Sequence, residues 1–153
     1  MSRAFVKETD KDTSVLPERA ISAHPNFVTP RGLALLDARL RDLEARRHAA
    51  RAANDFETLD AIARDLRYYQ IRRDTARLMQ PLSMPAAVRF GVQVRLRTLS
   101  GADTLWRIVG EDEADPPRGL ISYVSPLAMQ LMGRSVGDTV QLPTEQAVII
   151  GLD

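Results

Sequence analysis

The stretch from Arg107 to Val140 constrains this chain most, because it alternates runs suited to a pleated sheet with residues that forbid one. Leu105 to Val109 is rich in aromatic and β-branched residues, which pack well on a pleated surface. Gly110 to Gly119 holds four acids and Pro116-Pro117, so the strand cannot run through it. Ile121, Tyr123 and Val124 read as a second strand. Ser125-Pro126 marks a helix start: the serine oxygen can accept a free backbone N–H, and proline is tolerated at the first helical position. Leu127, Leu131 and Met132 are expected to face inward, and Gly133 to end the helix. Val136-Gly137-Asp138 turns the chain into a strand from Thr139 to Leu142.

Upstream, Val92, Val94 and Leu96 alternate with Gln93, Arg95 and Arg97, which predicts a half-buried strand within Val88 to Leu99. Ser100 to Asp103 reads as its hairpin turn, and Gln146 to Leu152 as a closing strand. The first third of the chain has a different period. Thr29-Pro30 opens a helix whose Leu33, Leu36, Leu40 and Leu43 recur at spacings of 3, 4 and 3, a coiled-coil seam. Leu59, Ile62, Leu66 and Tyr69 repeat that spacing. A turn near Asn54 folds the two seams antiparallel. Arms of about 22–25 residues would project roughly 33–38 Å. A two-helix hairpin buries one stripe per helix and needs a base to sit on. The strands downstream supply it, across a linker at Pro81 to Pro85. Ser2 to Asn26, broken by Pro17 and Pro25, is expected on composition to be a flexible leader; the alternative is that its apolar island at Ala4-Phe5-Val6 docks on a neighbouring surface.

Several function classes are disfavoured. The 153 residues contain no cysteine, so neither a disulfide framework nor a thiolate metal site is available. No apolar run approaches a membrane span, and the first residues are unlike a signal peptide. Net charge is +1, so bulk charge does not argue for nucleic acid. His24 and His48 lack partners at ligand spacing, and no nucleotide-binding or hydrolase motif occurs. Trp106 reads as core. The place left for chemistry is the hairpin tip, where Asp55, Glu57 and Asp60 fall within six residues. Carboxylates there also suit the N-terminus of the second helix. Arg46, Arg47, Arg51 and Arg64 outnumber the acids near the tip and are candidate phosphate contacts, although a solvated helix face has the same pattern.

The runs Arg107-Ile108-Val109-Gly110-Glu111-Asp112-Glu113 and Ile121-Ser122-Tyr123-Val124-Ser125-Pro126-Leu127-Ala128, followed by Gly133 and Val136-Gly137-Asp138, resemble the C-terminal domain of the Gre family of bacterial transcript cleavage factors. The resemblance is strong from Ala87 to Leu152 and architectural from Val28 to Met79. It implies an α+β chain: an N-terminal antiparallel α-helical coiled-coil hairpin, then a small FKBP-like antiparallel β domain with one short helix. The implied division is an extended leader over 1–28, the hairpin over 29–80, a linker over 81–86 and the C-terminal domain over 87–153.

By the same resemblance, Asp112, Glu113, Ser125, Pro126 and Leu127 would dock on a coiled coil of the largest polymerase subunit. The hairpin would enter the secondary channel, its basic arm touching RNA. The tip would help hold a Mg²⁺ of the polymerase's own active site, with Asp55 at the family's aspartate position. No stably bound cofactor is implied. The implied partners are bacterial RNA polymerase and the nascent RNA 3′ end, in the cytoplasm and with no membrane. The protein would not itself be an enzyme; it would modulate elongation or stimulate the polymerase's cleavage of backtracked RNA.

The tip departs from the family pattern. Asn54 replaces its glycine, Thr58 its glutamate and Leu59 its asparagine, while Glu57 falls one residue early. The arms also read about two turns, or about 10 Å, short. Those departures keep open a secondary-channel binder without cleavage activity, either comparable to Rnk-type relatives or an inhibitory regulator. From other classes, an FKBP-like prolyl isomerase is disfavoured by the few aromatic residues, and a stand-alone coiled-coil adaptor leaves the Ser125 to Asp138 constellation unexplained.

Overall fold

Thr29 starts the first helix as its sequence requires. Its side chain accepts the backbone N–H of Gly32, and Pro30 occupies the first helical position. The computed structural model describes residues 16–153, so the island at Phe5 and Val6 lies outside the described residues. Strand β1 (Phe27–Val28) precedes helix α1 (Pro30–Ala52), a turn, helix α2 (Phe56–Asp74) and strand β2 (Arg77–Leu78). Asp37, early in α1, pairs with Arg73, late in α2, while the turn joins their opposite ends, so the helices run antiparallel. Between them lie Leu43, Ala50 and Ile62, flanked by Leu59, Leu66 and Tyr69.

The expected leucine seam is buried at Leu36 and Leu43 and half-buried at Leu33 and Leu40. Two helices leave one side of each stripe open, which accounts for the difference. Asn54, at the turn, has φ of +54°, the left-handed region that glycine and asparagine tolerate.

The leader expected up to residue 28 is partly built into the structure. From Glu18 to Asn26 it runs along α2 in the same direction. Glu18 pairs with Arg67, and Arg19 pairs with Asp65 while stacking 3.8 Å above the Tyr68 ring. Asn26 is buried and donates to the Arg72 carbonyl at 2.6 Å. β1 then pairs in parallel with β2, closing the hairpin root.

The second half forms a five-stranded sheet in the order β5-β4-β3-β7-β6. Its members are β3 (Gln93–Thr98), β4 (Asp103–Val109), β5 (Leu120–Ser122), β6 (Thr139–Gln141) and β7 (Gln146–Leu152), with helix α3 (Pro126–Leu131) between β5 and β6. Val94 and Leu96 point into the core while Arg95 and Arg97 point out, as the alternation predicts. The core adds Val88, Phe90, Ile108, Leu131 and Ile149.

Three expectations are corrected. The sheet is mixed, not antiparallel, because β5 pairs in parallel with β4. Gly110 to Gly119 contains two 3₁₀ turns and carries the chain back alongside Arg107, so that β5 runs parallel to the last part of β4 instead of reversing as a tight hairpin would. Val88, Phe90 and Val92 are buried but precede the strand, since a turn at Gly91 (φ +86°) interrupts it. Met132 is turned outward, because α3 ends at Leu131 and Met132 has left the helical conformation.

Candidate functional site

The hairpin tip is a capped, solvent-facing turn. Asp55 is the N-cap of α2: its Oδ1 accepts the Thr58 backbone N–H at 3.1 Å. Hydrogen bonding from Thr58 holds the Asp55 carboxyl below its ordinary range. Thr58 thus stands at the third position of α2, where its backbone N–H completes the cap. Asp55, Glu57 and Asp60 are all exposed. Phe56, the first residue of α2, is also exposed. Its place at the tip was not anticipated from sequence. The second Asp55 oxygen lies outside the cap hydrogen bond, so one carboxylate oxygen could join a metal shared with another macromolecule; Mg²⁺ commonly takes one or two carboxylates plus phosphate. Among the described residues, no three His, Asp or Glu side chains gather into a metal site.

The arginines near the tip are not equally free. Arg46 pairs with Asp42 at 3.7 Å, Arg47 with Glu44 at 2.6 Å and Arg64 with Asp65 at 3.5 Å. Arg51, in the last turn of α1, has no carboxylate within pairing distance among the described residues and is exposed. It therefore has the most available charge of the four.

At the root, the acidic turn faces inward. Glu113 is buried; it accepts the Thr29 hydroxyl and pairs with Arg31 at 3.0 Å. Asp112 accepts the Tyr68 hydroxyl at 2.7 Å and pairs with Arg72 Nε at 2.5 Å. Burial, together with donation to Asp112, pushes the Tyr68 hydroxyl up to about 12. Arg72 is 2% exposed, and Glu111 lies 3.5 Å from its guanidinium. Two glycines permit this approach. A Cβ on Gly32 would lie 2.7 Å from Glu113 Oε2, and one on Gly110 would overlap the Phe27 carbonyl. Asp112 and Glu113, which the resemblance implies as partner-docking residues, are engaged within the chain, where they join the hairpin to the sheet.

Ser125, Pro126 and Leu127 lie apart from that junction. Ser125 caps α3 by accepting the Ala128 N–H. Pro126 is exposed and Leu127 half-buried. Together they form one wall of a groove of about 830 Å³, largely apolar, whose other walls include Trp106, Ile121, Leu142 and Pro143. Trp106, expected as core, is half-buried and contributes to both core and groove. Sequence reasoning missed the groove, because its walls come from β4, β5, α3 and the turn before β7.

A family profile described as "Transcription elongation factor, GreA/GreB, C-term" matches residues 84–150. A transcription elongation factor GreA from Psychrobacter arcticus is 32% identical over 148 residues, spanning 80% of this chain and 90% of its own. A transcription elongation factor GreB from Xanthomonas axonopodis pv. citri is 37% identical over 132 residues, spanning 73% of this chain and 79% of its own. The solved GreA factor homolog 1 of Thermus thermophilus aligns at a TM-score of 0.42 and 18% identity, covering 85% of this chain and 99% of that one. The chain belongs to the GreA/GreB family of transcription elongation factors. That family is one of elongation factors, not of enzymes in their own right. Among the described residues, no helix is long and apolar enough to cross a membrane.

Proposed function

We propose that this protein binds bacterial RNA polymerase through the groove beside Ser125, Pro126 and Leu127, and reaches into the secondary channel with its helical hairpin. The observation that carries this reading is a division of surfaces. The apolar groove belongs to the sheet, while an exposed carboxylate apex stands at the far end of a hairpin whose first helix has 23 residues, roughly 34 Å. In this reading residues 29–80 act as a coiled-coil probe and residues 87–153 as an FKBP-like docking domain, and the protein works in the cytoplasm.

At the tip, Asp55 contributes one oxygen toward a Mg²⁺ held by the polymerase, with Glu57 and Asp60 adding negative potential. Such a metal would supply the activated water and charge neutralisation for cleaving backtracked RNA. Arg51, and less directly Arg46, Arg47 and Arg64, face the RNA phosphates near its 3′ end.

The test is binding to purified core polymerase, followed by cleavage in a stalled, backtracked complex. Leu127→Asp should abolish capture, because it places a charge on the groove wall. Asp55→Asn should leave capture intact and abolish stimulation of cleavage. Capture that survives Leu127→Asp would refute the docking surface. Wild-type capture without any acceleration of cleavage would assign the chain to the non-cleaving, Rnk-like reading. Acceleration that survives Asp55→Asn would remove Asp55 from the role and direct attention to Glu57 and Asp60.

A further inference from the structure

A second cleft lies where the hairpin root meets the sheet, and neither the tip nor the docking groove involves it. It encloses about 340 Å³, at the small end of ligand-sized pockets. One wall comes from the start of α1, a second from the segment after β2, and a third from β4 and the turn leading into β5. Met79, Pro81 and Leu120 give it an apolar floor, and Arg31, Arg107 and Arg118 line it as well.

The charges do not cancel. Glu113 also lines the cleft, but it is buried and held by Thr29 and Arg31. Arg118 has a distant partner, Asp115 at 3.4 Å, and its side chain is 75% exposed. Arg107 is half-buried and donates only to neutral oxygens, the Gly91 carbonyl at 3.3 Å and Gln93 Oε1 at 3.0 Å. Among the described residues no carboxylate lies within ion-pair distance of it. A guanidinium partly withdrawn from bulk water without a counter-charge is an arrangement that an anion would relieve.

We propose that this cleft binds a small phosphate monoester, with its phosphate between Arg107 and Arg118 and its organic part on Met79, Pro81 and Leu120. A phosphate fits because Arg107 has no counter-charge and Arg118 only the 3.4 Å contact to Asp115, and guanidinium N–H groups suit phosphate oxygens. The apolar floor favours a flat or aliphatic body over a bare ion. Because the walls come from both the hairpin root and the sheet, an occupant would brace the two against each other.

The test needs no polymerase, so its outcome is separate from that of the proposed function. The full chain is titrated calorimetrically at low ionic strength with adenosine monophosphate, inorganic phosphate and adenosine. Adenosine monophosphate should bind one to one, at least about tenfold more tightly than inorganic phosphate, and adenosine should not bind. Arg107→Gln and Arg118→Gln should each weaken binding about tenfold, whereas Arg95→Gln, on the exposed face of β3, should leave it unchanged. The exposure of Arg118 keeps the test readable if Arg107→Gln fails to fold. No binding of adenosine monophosphate, equal binding of adenosine or of inorganic phosphate, or an unaffected Arg118→Gln would each overturn the proposal.

Discussion

Replacing Asp112 with alanine should loosen the hairpin from the sheet, and the structure sets the size of the effect. Arg72 is 2% exposed and its closest carboxylate is Asp112, at 2.5 Å. Removing one partner of a buried pair costs about 3–5 kcal/mol, mostly because the other charge is left uncompensated. Glu111, at 3.5 Å, remains as partial compensation, while the Tyr68 hydroxyl loses its acceptor. The expected loss is therefore at the lower end, about 3 kcal/mol. In a chain of this size that lowers the melting temperature by about 6–12 °C. Urea unfolding should be followed by helix circular dichroism and by Trp106 fluorescence, the latter reporting on the sheet. The helix signal should be lost first in Asp112→Ala, whereas the wild type should unfold closer to a single step. Adding Arg72→Met should recover about 2 kcal/mol relative to the sum of the single changes, since no buried guanidinium then remains unpaired. An Asp112→Ala protein within about 0.5 kcal/mol of wild type would refute the view that this pair anchors the hairpin.

Leu43→Ala should cost about 2–5 kcal/mol in the same assay and Leu40→Ala distinctly less, because Leu43 is buried between the arms and Leu40 is half-exposed; equal costs would contradict the packing. Asn54→Gly should be nearly neutral, and Asn54→Ala should cost about 1 kcal/mol, because only the latter opposes the positive φ at the turn. Tyr68 links stability to alkaline pH: its folded value is raised from 10.0 to about 12, so its contribution is complete below pH 10 and is lost as pH rises through about 12. Ultraviolet titration should find Tyr68 titrating late, and Asp112→Ala should lower its value while burial keeps part of the rise.

The local signals in the chain were legible because they depend on near neighbours. Thr29-Pro30 and Ser125-Pro126 announced two helix starts, and both serve as caps. The alternation around Val94 and Leu96 gave the face of β3 correctly. The direction of β5 was not legible, because Gly110 to Gly119 reads as a turn whether it reverses the chain or carries it around. The roles of Asp112 and Glu113 were hidden for a related reason. Four acids in ten residues look like a solvated surface, and only the distant Arg72, Thr29 and Arg31 reveal that two of them are enclosed. The leader was misjudged because its partners, Asp65, Arg67 and Tyr68, lie more than forty positions along the chain. At the tip, sequence located Asp55, but its geometry added a fact that spacing could not: one of its oxygens is already committed to Thr58.

The joint at Arg72 also sets an angular tolerance. With an arm of roughly 34 Å, a rotation of only 5° about the root sweeps the apex sideways by roughly 3 Å, more than the length of a metal–oxygen bond. Asp55 is about as far from the joint as any residue of α1 or α2, so its lateral accuracy depends on stiffness at the opposite end. The charged pairs, the glycine-permitted close approach and the short parallel pairing of β1 with β2 therefore act as the clamp of a cantilever. A change at this clamp would blur the position of a carboxylate it never touches.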